Sequence, residues 1–293
     1  MKNVINPYSK RLTLAVAAIV FTTTAFAQTN FKNQAHRGGA GLMPQNTILS
    51  MKNGLQYGAG LEMDLYVTAD NQIMVSHDDH VLGQFTLHDD GSAVTPEDEA
   101  KYVFPRMIYA DIRKFDVGSK PDPQFPNKKN IKTYIPLFAE LVDSVENYAK
   151  VHHLQAPLYN IEAKTPRPGH LDSVYKERFV KVLVPILKKK NILNRIILQS
   201  FDVEFLEMFH KQYPTMKLAY LVSKGTLKEN LAKLSFKPDN YSPYYKLLNQ
   251  QEVDQCHQLG IKIIAWTVDT KPEIDQQRAL GVDAIISNYP DLL

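Results

Sequence analysis

The first residues with chemical promise are Ala35-His36-Arg37-Gly38-Gly39, followed closely by Pro44-Gln45-Asn46-Thr47. His36 closes a short apolar run. Arg37 adds a forked cation suited to phosphate or carboxylate, and the two glycines let backbone approach a ligand closely. Asn46 or Thr47 has the chemistry of a helix N-cap. Next comes Leu61-Glu62-Met63-Asp64-Leu65. Glu62 and Asp64 are two apart, so on a strand both side chains leave the same face. Two carboxylates on one buried face repel each other and cost desolvation free energy. A divalent cation that prefers hard oxygen ligands, Mg2+, Ca2+ or Mn2+, removes both costs. The competing reading is an edge strand with a solvated acidic face, but Gly60, Leu61, Met63 and Leu65 favour a strand buried on both sides.

A third apolar run delivers His77, with Asp78 after it. Two imidazoles are what acid/base chemistry near neutral pH requires. Tyr159-Asn160-Ile161-Glu162-Ala163-Lys164 repeats the earlier pattern. Glu162 and Lys164 share a face, one a third candidate ligand and the other a counter-charge for an anionic substrate. The single tryptophan, Trp266, ends a late apolar run, where it either walls a pocket or packs in a core.

Strands and helices must carry these groups. Short apolar runs at residues 34–36, 60–65, 73–76, 158–162, 195–200, 217–221, 261–268 and 284–287 read as buried strands. Helical periodicity fills residues 47–57, 137–149, 174–190, 203–212, 227–233, 251–259 and 272–280 between them. Strand-then-helix alternation implies a parallel sheet with helical crossovers. Seven or eight such units have the size of a (β/α)8 TIM barrel, an α/β fold. An open doubly wound sheet is the competitor, weakened for dinucleotide binding because no Gly-x-Gly-x-x-Gly turn follows a strand. Residues 80–134 break the alternation with turn chemistry and little periodicity, and read as a small insertion over one barrel mouth, after the second strand region.

Composition narrows the classes further. The 293 residues are 44% hydrophobic and 22% charged, an ordinary globular balance that argues against a disordered or fibrous chain. Residues 1–27 read as a cleaved signal peptide: Lys2, Lys10 and Arg11, then an apolar stretch too short to span a membrane comfortably, then Ala25-Phe26-Ala27. Export to the periplasm or secretion is the expectation. Removing that segment takes away three basic groups and leaves 266 residues with 31 basic against 31 acidic side chains. That balance gives no electrostatic case for nucleic acid as a partner. No later apolar run reaches 18 residues, so stable membrane insertion is not expected. The lone Cys256 rules out an internal disulfide and a cysteine-based zinc site.

Taken in order, His-Arg-Gly, Pro-x-Asn-Thr, Glu-x-Asp, a turn, His-Asp, Glu-x-Lys and a tryptophan strand resemble the glycerophosphodiester phosphodiesterase family. The ending Gly281-Val282-Asp283-Ala284-Ile285-Ile286-Ser287-Asn288-Tyr289-Pro290-Asp291-Leu292 is similar to that family's C-terminus. Phe115-Asp116-Val117-Gly118-Ser119 and Ile135-Pro136-Leu137 look like the insertion of its bacterial members. The resemblance runs from about Gln34 to Leu293. It implies a TIM barrel spanning residues 28–293, with an insertion at about 80–134. A divalent cation, Ca2+ or Mg2+, would be bound by Glu62, Asp64 and Glu162. His36 and His77 would be the acid/base pair, Arg37 and Lys164 would hold the phosphate, and Trp266 would line the substrate pocket. The implied reaction is hydrolysis of a small glycerophosphodiester to glycerol 3-phosphate and an alcohol. Two other readings stay open, a lysophospholipase D-like enzyme on the same barrel and a non-catalytic ligand-binding barrel. One position departs from the family pattern: Gln45 stands where Pro-Glu-Asn-Thr is usual, keeping the hydrogen-bonding shape and losing a charge.

Overall fold

The computed structural model describes Met1, residues 33–170 and residues 173–293. The expected leader therefore lies, Met1 apart, outside the described residues. The chain begins with β1 (Asn33–Ala35), α1 (Ile48–Gln56), β2 (Gly60–Val67) and β3 (Ile73–Val75). Then come α2 (Pro96–Lys101), α3 (Tyr109–Ile112), α4 (Phe138–Val151), β4 (Tyr159–Ala163) and α5 (Tyr175–Lys189). From there strand and helix alternate strictly: β5 (Ile196–Ser200), α6 (Val203–Gln212), β6 (Lys217–Val222), α7 (Leu227–Leu231), β7 (Asn240–Pro243), α8 (Gln250–Gln258), β8 (Lys262–Ala265), α9 (Lys271–Leu280) and β9 (Ala284–Ser287). Every neighbouring pair is parallel except β2 with β3, and β1 pairs with both β9 and β2. That double pairing closes an eight-stranded parallel barrel with helices outside it, a TIM barrel.

Two strand expectations need correction. The run at 73–76 is a strand, but β3 returns antiparallel along β2 and stays outside the ring. Residues 68–72 make the hairpin turn, with Thr68 N–H bonded to Gln72 O at 2.9 Å and Asn71 in the left-handed region at φ 59°. The place left vacant in the barrel is taken by β7, whose Asn-Tyr-Ser-Pro has no apolar run to announce it. Its polar side chains are buried because neighbouring backbone satisfies them: Ser242 Oγ donates to Ile264 O at 2.8 Å and Asn240 Nδ2 to Leu218 O at 3.3 Å.

Strand alternation divides the side chains into two sets. Leu61, Met63, Leu65, Ile161 and Leu198 belong to the large outer core shared with the helices. Glu62, Asp64, Asn160, Glu162 and Gln199 alternate with them, and β2, β4 and β5 stagger so that Asp64 pairs with Glu162 and Glu162 with Gln199. Farther round the barrel a second, smaller apolar cluster consists of Ile197, Ala219, Ile264, Ala284 and Ile286, with Trp266 packed on it.

The segment between β3 and α4 holds α2 and α3 and little other regular structure. Its Val81, Phe104, Tyr109, Ile112 and Phe115 are buried in the same core as the barrel helices. It meets the loops that follow barrel strands. Lys129 N–H donates to Leu42 O at 2.9 Å, and the Phe125 ring lies edge-on to Tyr289 at 6.4 Å. Buried Asp79, near the start of the segment, accepts from the Arg167 backbone N–H at 2.7 Å and pairs with His170 at 2.9 Å beyond β4. No described helix is long and apolar enough to cross a membrane.

Candidate active site

The turn after β1 places the first two groups. Arg37, Gly38 and Gly39 all take positive φ, at 51°, 79° and 101°. At Gly38 a Cβ would come within 2.6 Å of Ser50 Oγ and 2.7 Å of Met51 N, so only glycine lets this turn press on the start of α1. α1 itself is capped by Thr47 in a reciprocal box with Ser50, the role its sequence suggested. The tight turn directs the Arg37 backbone N–H at Glu62 Oε2, 2.8 Å away. Asn46, also left-handed at φ 55°, holds Asp64 by two bonds: Nδ2 donates to Oδ2 at 2.8 Å, and its Oδ1 accepts from the Asp64 N–H at 3.3 Å.

Glu62, Asp64 and Glu162 are all buried, and each offers an oxygen within 4.8 Å of the others. Among the described residues no other three His, Cys, Asp or Glu side chains come together in this way. Two cations face them. Lys164 Nζ lies 3.1 Å from Glu162 Oε1 and 3.6 Å from Asp64 Oδ1, and Arg37 Nε lies 3.6 Å from Asp64 Oδ2. Three carboxylates against two cations leave one negative charge uncompensated when all are ionised. Its cost falls unevenly. Burial raises the Glu62 carboxyl well above its ordinary range, and repulsion from Asp64 adds to the rise. Burial would also raise Asp64, but Lys164, His77, Arg37 and the Asn46 hydrogen bond together hold it below the usual carboxylate range. Burial raises Glu162 despite Lys164, and Lys164 in turn is raised by Glu162 and Asp64 against its own burial. A donor set of three buried carboxylate oxygens with one net negative charge fits a hard divalent cation.

His36, Arg37, Glu62, His77, Glu162, Lys164 and Trp266 line one cavity of about 180 Å³. Asp64 lies behind it, holding Arg37 and Lys164. The structure thus gathers all eight residues singled out from the sequence. The histidines arrive differently. His36 follows β1 directly. His77 comes back down the β2–β3 hairpin, anchored by the Ser76 N–H bond to Asp64 O at 3.0 Å. His36 Nδ1 lies 2.6 Å from Asn288 Oδ1. Asn288 is fixed by Asp269, which accepts from its Nδ2 at 2.7 Å and its backbone N–H at 2.8 Å. A carboxylate only accepts, so the Asn288 nitrogen must face Asp269 and its oxygen must face His36. Nδ1 of His36 therefore carries the hydrogen, and Nε2 keeps its lone pair. Burial, then the neighbouring Arg37, pushes the His36 pKa down to about 3, so the ring is neutral. His77 is half-buried, with Nδ1 3.2 Å from Asp78 Oδ2.

Several residues at the site escaped the sequence reading. Gln199 donates to Glu62 Oε1 at 2.9 Å, and Asn288 and Asp269 orient His36. Phe201 stands edge-on to Trp266 at 5.4 Å and 89°. One signal was available for Gln199 and Asn288, since each is a polar side chain at the end of an apolar strand, as Glu162 is. Gln45, the departure from the family pattern, accepts a hydrogen bond from Arg37 Nη1, which needs an acceptor and not a charge.

A family model for the glycerophosphoryl diester phosphodiesterase family matches residues 36–292. A glycerophosphodiester phosphodiesterase from Caldanaerobacter subterraneus is 27% identical over 263 residues, covering 88% of this chain and 94% of the relative. Another, from Bacillus subtilis, is 27% identical over 270 residues, covering 88% and 83%. A crystal structure from Silicibacter pomeroyi, assigned as a glycerophosphoryl diester phosphodiesterase, superposes with a TM-score of 0.80 at 26% identity, covering 89% of this chain and 90% of that one. With the match to the family model spanning nearly all of the described barrel, the chain belongs to the glycerophosphoryl diester phosphodiesterase family.

Proposed function

We propose that His36 is the general base and His77 the general acid in the hydrolysis of a glycerophosphodiester to glycerol 3-phosphate and an alcohol. Glu62, Asp64 and Glu162 hold a divalent cation, Ca2+ or Mg2+, and Arg37, Lys164 and Trp266 bind the substrate. Hydrolysis of glycerophosphodiesters is the activity of the family to which the chain belongs. The observation that carries the assignment of roles is the bond from His36 Nδ1 to Asn288. It leaves Nε2 unprotonated towards the cavity, ready to take a proton from the attacking hydroxyl. His77 lines the same cavity with its Nδ1 3.2 Å from Asp78 Oδ2, a contact that orients the ring, and its role is to deliver a proton to the departing alkoxide. Arg37 and Lys164 offer charge to the phosphate oxygens. A bound divalent cation would supply Lewis-acid stabilisation of the negative charge that builds on the phosphoryl group. Trp266 and Phe201 offer an apolar surface to the carbon-bearing part of the substrate. The remaining parts of the reading rest on sequence: residues 1–27 act as an export leader to the periplasm or beyond, and residues 80–134 are an insertion in one barrel domain.

The two histidines test the assignment. A general acid matters most when the leaving alcohol is poor, whereas a base is needed for every substrate. Replacing either with alanine should cost ~10²–10⁴-fold on a natural diester. An aryl phosphodiester should partly rescue His77→Ala and leave His36→Ala unrescued. Rescue of His36→Ala alone would reverse the roles, and near-normal rates in both variants would remove the pair from the chemistry.

A further inference from the structure

Glu62 differs from its two partners in what holds it. Lys164 pairs with both Asp64 and Glu162, and Arg37 with Asp64. The bonds to the two oxygens of Glu62 come from neutral donors, the Arg37 backbone N–H and Gln199 Nε2. Because an ionised carboxylate only accepts, the Gln199 nitrogen must face Glu62, and its Oε1 then turns to Asn160 Nδ2 at 2.9 Å. Asn160 Nδ2 also donates to Gln34 Oε1 at 2.7 Å. Gln34, Asn160, Gln199 and Glu62 thus form one chain across the barrel interior, with exposures of 0, 0, 1 and 2%. The chain does not saturate its own hydrogen bonds, because Gln34 Nε2 and Asn160 Oδ1 are buried with no partner among the described residues. Burying amides on such terms costs free energy, while the neighbouring part of the interior is filled by Ile, Ala and Trp without that cost. A neutral donor can turn a carboxylate without taking over its charge, which Arg or Lys could not do.

We infer that Gln199 is a positioning residue for the cation-binding triad: its amide, fixed by Asn160 and Gln34, holds the Glu62 carboxylate towards Asp64 and Glu162 and thereby raises affinity for a divalent cation. The inference rests on the cation reading above. Purified full-length protein, Gln199→Leu and Gln199→Met are titrated calorimetrically with Ca2+ and with Mg2+, alongside Glu62→Gln and a thermal melt of each. Loss of an outer hydrogen bond to a ligand should weaken binding ~10–100-fold. The melts should remain cooperative, and hydrolysis should recover when the cation is raised to saturation. The unbranched Met variant carries the test if Leu does not fold. Wild-type affinity in the folded 199 variants would overturn the inference, as would unchanged affinity with a rate that saturating cation does not restore. Binding of neither ion by the unsubstituted protein would overturn the cation reading and this inference with it. Wild-type affinity in Glu62→Gln would overturn both as well, whereas loss there with no change at 199 would sink the inference alone.

Discussion

From β1 through β2 and β4 to the end of β5 the barrel interior presents Gln34, Glu62, Asp64, Asn160, Glu162 and Gln199. From the start of β5 round to β9 it presents mainly Ile197, Ala219, Ile264, Ala284 and Ile286, topped by Trp266, with Asn240 and Ser242 of β7 polar and both bonded to neighbouring backbone. Both arcs come from parallel strands of one barrel with the same two-residue alternation. They differ only in what the inward positions hold. The apolar arc stabilises the fold by ordinary burial. The polar arc carries buried charge, orphaned amide atoms and a carboxyl raised by burial and by repulsion from its neighbour, each a cost to folding. Such costs persist in a barrel where they serve the reaction, so the polar arc is read as the seat of chemistry and the apolar arc as the seat of binding.

The strongest challenge to that division is Glu62→Gln. On the proposed reading it abolishes cation-supported hydrolysis while the barrel stays folded. The same change should stabilise the cation-free protein, because it removes a buried charge with no cationic partner. The sign of the pH dependence follows. A carboxyl raised in the folded state contributes fully below the ordinary value of 4.5, and its contribution is lost as pH rises through the folded value. In chelator, the unsubstituted protein should therefore lose stability as pH rises above about 4.5, by at most ~1.4 kcal/mol per pH unit from this group, and Glu62→Gln should lose less. Added Ca2+ or Mg2+ should reverse the order of the two melts. A variant that keeps full activity in chelator would break the comparison at its centre.

Trp266→Ala probes the opposite arc. The indole is held by its Nε1 bond to Ser242 O at 2.7 Å and by contact with Phe201 and Tyr244. If this arc binds and does not react, the loss should appear in KM, about 10-fold for an aromatic contact worth ~1.4 kcal/mol, with kcat changed less. A fall in kcat at constant KM would place Trp266 in the chemistry and erase the distinction between the arcs.

The two arcs were also unequally legible in the sequence. Glu62, Asp64 and Glu162 stood out because charge inside an apolar strand contradicts burial, and the contradiction is itself the signal. Gln34, Asn160 and Gln199 contradict it only weakly, since an amide tolerates either environment. Their roles depend on a cross-strand register that no single segment contains. Asp269 and Asn288 meet His36 from the far end of the chain, through barrel closure. The hairpin at β3 read as a barrel strand because three apolar residues look alike in either direction. β7 went unread because its burial is satisfied by hydrogen bonds to neighbouring backbone and not by apolar surface.

The smallest effect is expected at the segment over the mouth, where neither arc is altered. None of the α2 side chains is buried, and the turn before it is held by local bonds such as Ser92 N–H to Asp90 Oδ1 at 2.9 Å. The connection to the site runs through Glu99 Oε1, which accepts from the Gly83 N–H at 2.6 Å. Gly83 lies between Leu82 and Phe85, and these two with Thr86 share an apolar recess with His77 and Gln45. Shortening residues 89–99 releases that wall without touching the carboxylates, the histidines or Trp266. Preference among diesters with different alcohols should shift by a few-fold, within the ~1–3 kcal/mol that a pocket contact can discriminate. Turnover on the best diester should change less than the preference does. A panel of glycerophosphodiesters, with a lysophospholipid included, measures both quantities. A gain on the lysophospholipid would show the wall acting as a barrier to longer apolar groups. Loss of a cooperative melt would instead make residues 89–99 part of the core and remove the wall's independence from the barrel.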